Sequence, residues 1–350
     1  MGRKRSTKPT SFDIAYRAGV SQPTVSRALR GSKSVSLKTR QRIEEIAREL
    51  NYSVDKNASS LRSQRSNTIA LLFFEDPTPD GANINPFFLA MLGSITRATA
   101  NRGLDLLISF QKMEDNWHVQ YQDSHRADGL ILLGYGDYEV YRARLEQLVG
   151  QRTHFVRWGS VQAGQPGTTI GCDNHGGGRD AAAHLLGLGH RRIAFIGQAS
   201  SHYPEFDDRY RGLCDGLAAA GIAADPQLQV DAMSTEAAGH AAARGLTQRG
   251  VIFDAIFAAS DLIAIGAMRA LGEAGVRVPE DVSIIGFDDI PAAQLSHPPL
   301  TTIAQDYARA GQVLVDTLLR QIRALPTETA MLPPQLIVRR STAPRPGTRR

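Results

Sequence analysis

The chain opens with three short apolar stripes at helical spacing, then changes to apolar runs separated by longer amphipathic stretches. Ile14, Ala15 and Ala18 share one helical face, which Thr10 or Ser11 can cap and Gly19, tolerant of the left-handed conformation, can stop. Ser21 can cap a second helix over 22–30, with Val25 and Leu29 facing inward and Pro23 in the first turn, where no intrahelical N–H is needed. A third helix over 36–50 sets Ile43, Ile46, Ala47 and Leu50 on one face. Two helices joined by a three-residue turn that starts with Gly, closed by a third, predict a helix-turn-helix over 10–52. Residues 1–9 lack apolar positions and read as a disordered basic tail; 53–66 read as a polar linker with one odd apolar residue, Leu61.

From Thr68 onward, strand candidates at 69–74, 104–110, 129–133, 154–156, 193–196, 254–258 and 282–287 alternate with helical stretches near 86–102, 114–126, 138–149, 176–188, 208–220, 236–249, 261–274 and 306–324. Such alternation predicts α/β architecture, with parallel sheets covered by helices on both faces. About 275 residues exceed one comfortable core, so two doubly wound subdomains are expected. The Gly- and Pro-containing loop 159–169 is the expected crossing between them. The expected limits are 67–160 with 301–328 for one subdomain, and 161–300 with 329–342 for the other.

Charge is unevenly spread. Residues 1–65 carry 15 Lys and Arg against 5 Asp and Glu, whereas the rest of the chain carries 25 against 30. A strongly cationic module on a mildly acidic body suits a polyanion such as nucleic acid at one end only. Two cysteines, Cys172 and Cys214, build neither a disulfide framework nor a four-thiolate zinc site, which suggests a reduced, cytoplasmic compartment. No run approaches the roughly 18 apolar residues of a membrane span, and the basic N-terminus lacks the apolar stretch of a signal peptide.

Catalytic signals are poor. The 9 His show no metal-binding spacing, and no Gly-x-Ser-x-Gly elbow occurs. Gly176-Gly177-Gly178 is neither a P-loop nor a dinucleotide fingerprint and better suits a helix N-terminus packed close to a strand. A non-enzyme without cofactor or metal is expected.

The segment Ala15-Tyr16-Arg17-Ala18-Gly19-Val20-Ser21-Gln22-Pro23-Thr24-Val25-Ser26-Arg27-Ala28-Leu29 closely resembles the DNA-binding signature of the lactose-repressor (LacI/GalR) family. Tyr52 and the pair Ala58 and Leu61 resemble that family's hinge helix. Asn85-Pro86-Phe87-Phe88, Asp128-Gly129-Leu130-Ile131-Leu132, Leu188-Gly189-His190-Arg191-Arg192, Val278-Pro279-Glu280-Asp281, Gly286-Phe287-Asp288-Asp289 and Pro299-Leu300-Thr301-Thr302 resemble its regulatory core, in the family's order. The resemblance implies a helix-turn-helix on a periplasmic-binding-protein-like core of two doubly wound subdomains. Its implied partners are pseudo-palindromic operator DNA, a second copy of the chain and a small-molecule effector. No leucine heptad stands at the C-terminus, so a homodimer is expected rather than a tetramer.

Residue chemistry gives these expectations content. Arg27 can present a bidentate fork to guanine O6 and N7, and Gln22 can pair with adenine or other base edges. Pro23 stands where the family usually places a second base reader, yet it offers only van der Waals contact to a thymine methyl. Ser21, Thr24 and Ser26 suit phosphate oxygens or capping, which position without specifying. Thr10, Tyr52 and Ala58 complete the DNA-side set that the resemblance implies. Leu61 is either a buried staple or, by resemblance, a wedge into the minor groove that kinks the duplex. Asp55 can cap the hinge helix, but Val54 stands where the family often has Pro.

Effector residues are expected beyond strand ends, between the subdomains. By resemblance Arg209 and Asp288 match hydroxyl or charge contacts, and Phe87, Phe88 and Trp158 match wall positions. Ser260 and Asp261 follow a strand end, while His202 and Tyr203 belong to an aromatic stretch that can form a rim. Aromatic rings stacking on a sugar's apolar face, with a carboxylate and a guanidinium on its hydroxyls, suit a carbohydrate. The alternatives are that Phe87 and Phe88 are plain core, Tyr203 a loop anchor and Asp288 a loop cap. The sequence thus reads as an effector-responsive transcriptional regulator, most often a repressor. A sugar-binding protein without DNA function is the rival reading, and the cationic module argues against it.

Overall fold

The computed structural model describes residues 9–29, 31–52, 65–74, 84–111, 115–134 and 136–345. They divide into two compact units, Met1–Ser66 and Asn67–Arg350.

In the first unit α1 (Ser11–Ala18), α2 (Gln22–Leu29) and α3 (Leu37–Glu49) close around Ile14, Val25, Ala28 and Ile43, all fully buried. The Asp13 carboxylate accepts from both the N–H and the hydroxyl of Thr10 at 2.7 Å, which fixes the start of α1 and holds the Asp13 carboxyl below its usual range. Gly19, at φ 64, ends the helix. Ser36 caps α3 by accepting from Thr39 N–H at 3.2 Å. Ala58 and Leu61, with most of the expected tail and linker, lie outside the described residues.

The second unit contains two six-stranded sheets. The first is built from β1 (Thr68–Phe74), β2 (Asp105–Gln111), β3 (Gly129–Leu133), β4 (Phe155–Trp158), β5 (Thr168–Cys172) and β11 (Ala330–Leu332), all parallel, in the order β11-β5-β4-β3-β1-β2. Beside the edge strand β2, β1 pairs Leu71 with Ile108 on one side and with Ile131 of β3 on the other. The second sheet runs β12-β10-β9-β8-β6-β7, from β6 (Ile193–Ile196), β7 (Gln229–Val230), β8 (Ala255–Ala258), β9 (Ser283–Asp288), β10 (Thr301–Ala304) and β12 (Gln335–Ile337). Only the β10–β12 pairing is antiparallel among its described ladders. Near-continuous apolar strands such as Ile69–Phe73 and Ile284–Phe287 are buried on both faces by helices, as parallel sheets require.

Helices α4 (Pro86–Ala100), α5 (Tyr138–Gly150) and α11 (Tyr307–Ile322) cover the first sheet, and α6 (Asn174–Gly187), α7 (Pro204–Ala219), α8 (Glu236–Gln248) and α9 (Asp261–Glu273) the second, with α10 (Pro291–Leu295) short. The chain changes sheet three times, after Cys172, after Ala304 and after Leu332. These crossings differ from the expected limits at 160, 301 and 329. Loop 159–169 only links β4 to β5 within one sheet, Thr301–Ala304 belongs to the second sheet, and Ala330–Leu332 belongs to the first. The expected helix over 114–126 is a π-helical turn, His118–Asp123, which buries Trp117 and Tyr121 before the chain reverses at His125 (φ 54).

Candidate DNA-reading face and inter-subdomain cleft

On α2, burial of Val25 and Ala28 turns Pro23 and Arg27 to the exposed side, with Gln22 and Ser26 half-buried beside them. Arg27 Nε donates to the Pro23 carbonyl at 3.3 Å, and Gln22 Nε2 donates to Ser11 Oγ at 3.2 Å, so each reader is parked on its own unit. Ser21 and Thr24 hydroxyls meet at 2.8 Å across the first turn of α2. Tyr52 packs on the three-helix core, and Thr10 is engaged in its cap. Sequence reasoning passed over Tyr16, which is 90% exposed on α1; an aromatic left in water on a cationic module was the signal available.

The cleft lies where strand C-termini of both sheets converge. Arg209, 1% exposed, reaches in from the second turn of α7. Its Nε donates to Asn174 Oδ1 at 2.9 Å, its Nη1 to the Ala259 carbonyl, and its guanidinium carbon lies over Phe287, 3.7 Å from the ring centroid. Nη1 stands 3.7 Å from Asp288 Oδ1, which also accepts from Gln305 Nε2 at 2.6 Å. Asp288 (φ 113) and Asp289 (φ 55) follow one another in the left-handed half of backbone space, a strained strand end of the kind held at functional sites. Phe87 and Trp158 face each other with centroids 6.1 Å apart, and Phe88 joins Phe87 at 5.3 Å. Burial pushes the Cys172 thiol, beside this cluster at the end of β5, up to about 12.

Other expected effector residues are occupied in different ways. Asp261 is wholly buried inside the second subdomain, where Oδ1 accepts from Thr302 Oγ1 at 2.5 Å and Oδ2 from Ile290 N–H at 2.8 Å. Burial first, and the Asp288 charge second, hold its carboxyl well above the usual range. Ser260 caps α9 and accepts from Ser234 Oγ at 2.9 Å; Ser234 in turn accepts from Asn85 Nδ2 at 3.1 Å, from the opposite subdomain. His202 is exposed and bridges subdomains, with Nδ1 2.8 Å from Asp137 Oδ2 and its carbonyl accepting from Tyr138 N–H at 2.8 Å. Tyr203 stacks on Phe206 at 6.3 Å. The structure therefore brings Arg209 and Asp288 together in the second subdomain and Phe87, Phe88 and Trp158 together in the first, all five buried, while His202 makes a contact between the subdomains and Asp261 is engaged within the second. Asn174, Gln305 and Asn85 were missed. Each follows a strand or starts a helix, but Gln305 was hidden because its strand, Thr301–Ala304, carries no apolar run.

A three-helix DNA-reading module on a two-lobed α/β binding core is the architecture of a transcriptional regulator. Residues 12–55 match the family model of the bacterial regulatory proteins of the lacI family, and residues 182–342 match the periplasmic binding protein-like domain. The chain is 31% identical to the HTH-type transcriptional regulator DegA of Bacillus subtilis over 96% of its own length and 99% of the relative's. It is 32% identical to the regulator CelR of Thermobifida fusca (97% and 99%) and 31% identical to the repressor CytR of Escherichia coli K12 (97% and 98%). Among solved structures, a lac repressor dimer bound to operator and the anti-inducer ONPF superposes with a TM-score of 0.82 at 27% identity, covering 96% of this chain and 100% of that one. A CelR–cellobiose complex does so with a TM-score of 0.70 at 31% identity (95% and 99%). The chain belongs to the LacI family of bacterial transcriptional regulators. Its relatives are named regulators and repressors, so it is a DNA-binding regulator and not an enzyme. Among the described residues no helix is long and apolar enough to cross a membrane.

Proposed function

We propose that this protein is a cytoplasmic repressor that binds a pseudo-palindromic operator as a homodimer, and that a small hydroxylated ligand, a sugar or oligosaccharide, controls its grip from the cleft. Gln22 and Arg27 read bases, Leu61 wedges the central step, and Ser21, Pro23, Thr24, Ser26, Thr10, Tyr52 and Ala58 fix the register on the backbone and groove. The buried Arg209–Asp288 pair carries the ligand reading. Two charges taken out of water, one of them at a strained strand end, are costly for a fold that apolar residues could fill, so their presence supports a binding role. Phe87 and Trp158 supply the apolar platform, and Ser260, His202 and Tyr203 stand near enough to tune it. Relatives solved with ONPF and with cellobiose add support.

The experiment is a thermal-shift screen of mono- and disaccharides on wild type and Asp288→Asn. A ligand at 100 times its dissociation constant adds about 2.7 kcal/mol. A sugar that stabilises wild type and not the variant is the expected result; equal stabilisation of both overturns the role of Asp288.

A further inference from the structure

The loop after β4 is gripped by the opposite subdomain, most fully at Ser160. Ser160 belongs to the first sheet's side of the cleft: the preceding Gly159 N–H donates to Ile170 O of β5 at 3.1 Å. Ser160 is itself fully buried, and all three of its polar groups are engaged. Its N–H donates to Glu205 Oε1 at 2.8 Å and its hydroxyl to Asp208 Oδ2 at 2.5 Å, both on the opening turns of α7 in the second subdomain. Its carbonyl accepts from Arg157 Nη2 at 3.2 Å. Arg157 is 1% exposed and leans over the Tyr138 ring, an expensive place for a guanidinium on a strand whose other side chains are apolar. Gly159 passes between these charges so closely that a Cβ there would lie 2.6 Å from Arg157 Nη1 and 3.0 Å from Glu205 Oε1.

Two cleft walls hang from this clasp. Trp158 lies two residues before Ser160, and Arg209 lies one helical turn after Glu205 and directly after Asp208. We infer that Ser160, Glu205 and Asp208, backed by Arg157, are positioning residues that set the gap between the Trp158 platform and the Arg209 guanidinium, and so the thickness of ligand the cleft accepts. Burial raises the Asp208 carboxyl above its usual range, in keeping with a seat partly shielded from water. The inference deepens the ligand reading above and rests on it for its meaning. Its test uses neither ligand nor DNA, so a failed sugar screen and a failed clasp give different results.

Trp158 is 4% exposed and Trp117 wholly buried in the first subdomain's other core, so Trp117→Phe leaves one reporter on the cleft wall. Acrylamide quenching of the full-length chain in that background follows the gap directly. Glu205→Ala should raise the Trp158 quenching constant several-fold, and Ser160→Ala should raise it less, because the residue's N–H still donates to Glu205. Glu205→Gln, which keeps an acceptor for the Ser160 N–H, should restore most of the protection. Because Glu205 is itself buried, each variant is measured well below its melting temperature. Unchanged quenching in both alanine variants overturns the inference. So does Glu205→Gln behaving like Glu205→Ala, since charge and not the hydrogen bond to Ser160 would then hold the subdomain.

Discussion

At the scale of single residues, side-chain chemistry and its immediate surroundings give sharp expectations. Arg27 is exposed on α2 with only a backbone carbonyl beneath it, so a guanine edge can take its fork without breaking the fold. Arg27→Ala should cost roughly 1–3 kcal/mol per half-site on operator and little on random DNA. Competition gel shifts measure both, and equal losses would make Arg27 a phosphate contact. Arg209 and Asp288 were singled out by resemblance to the family; Asp288 ends β9, and Arg209 lies in the second turn of α7. Asp261 was expected beside them; its partners, Thr302 and Ile290, arrive from 41 and 29 residues away, which no local pattern reveals. Its raised carboxyl makes a further prediction. The folded state holds a proton that the unfolded chain releases, so the stability it contributes is complete below about pH 4 and is lost as pH rises toward its raised value. Asp261→Asn keeps an acceptor for Ile290 and offers a donor to Thr302, so it should flatten that decline. Melting curves between about pH 4 and 8 decide; a variant that melts below wild type throughout would show that the carboxylate itself is required.

At the scale of elements, the helices and central strands were legible because both kinds of apolar period run for several residues. The missed strands are short and lack a long apolar run. Thr168–Cys172, Gln229–Val230, Thr301–Ala304, Ala330–Leu332 and Gln335–Ile337 take their strand identity from partners distant in sequence. The Gly triplet, in contrast, meant what its spacing suggested: a Cβ on Gly177 would fall 2.7 Å from Phe287 of β9. One turn of the same helix also crosses α7 at backbone distance, since a Cβ on Gly178 would fall 2.2 Å from Arg209 O, and one on Gly212 2.1 Å from His175 O. Gly212→Ala must therefore push α7 off α6. It should lower stability by about 1–3 kcal/mol, as overpacking does, and weaken ligand binding by moving Arg209. Denaturant unfolding with a parallel sugar titration checks this; a stable variant with full ligand affinity would show that the two helices slide freely.

At the scale of the whole molecule, the two-sheet core was legible from size and alternation, whereas the places where the chain changes sheet were not. A Gly- and Pro-rich loop suggests a boundary, but the chain changes sheet after Cys172 and Ala304, each leading into a helix, and after Leu332, where Pro333 and Pro334 separate the two strands. Three connections between otherwise separate sheets allow rigid-body opening, the motion by which occupancy of a cleft is felt elsewhere. If the hinge carries that signal to DNA, Leu61→Ala should reduce operator affinity and bending while leaving sugar affinity unchanged. Bending assays on circularly permuted operator fragments measure it, and unchanged bending would return Leu61 to a packing role.

The central claim, that the Arg209–Asp288 cleft governs operator binding, is tested most directly by fluorescence anisotropy of labelled operator. Wild type and Arg209→Ala are titrated with and without the sugar that stabilises wild type. The account predicts that the sugar shifts operator affinity of wild type, by roughly 5- to 150-fold as allosteric couplings typically do, and leaves that of Arg209→Ala where it was. An operator affinity indifferent to the sugar in wild type, or an equal shift in both proteins, would contradict it.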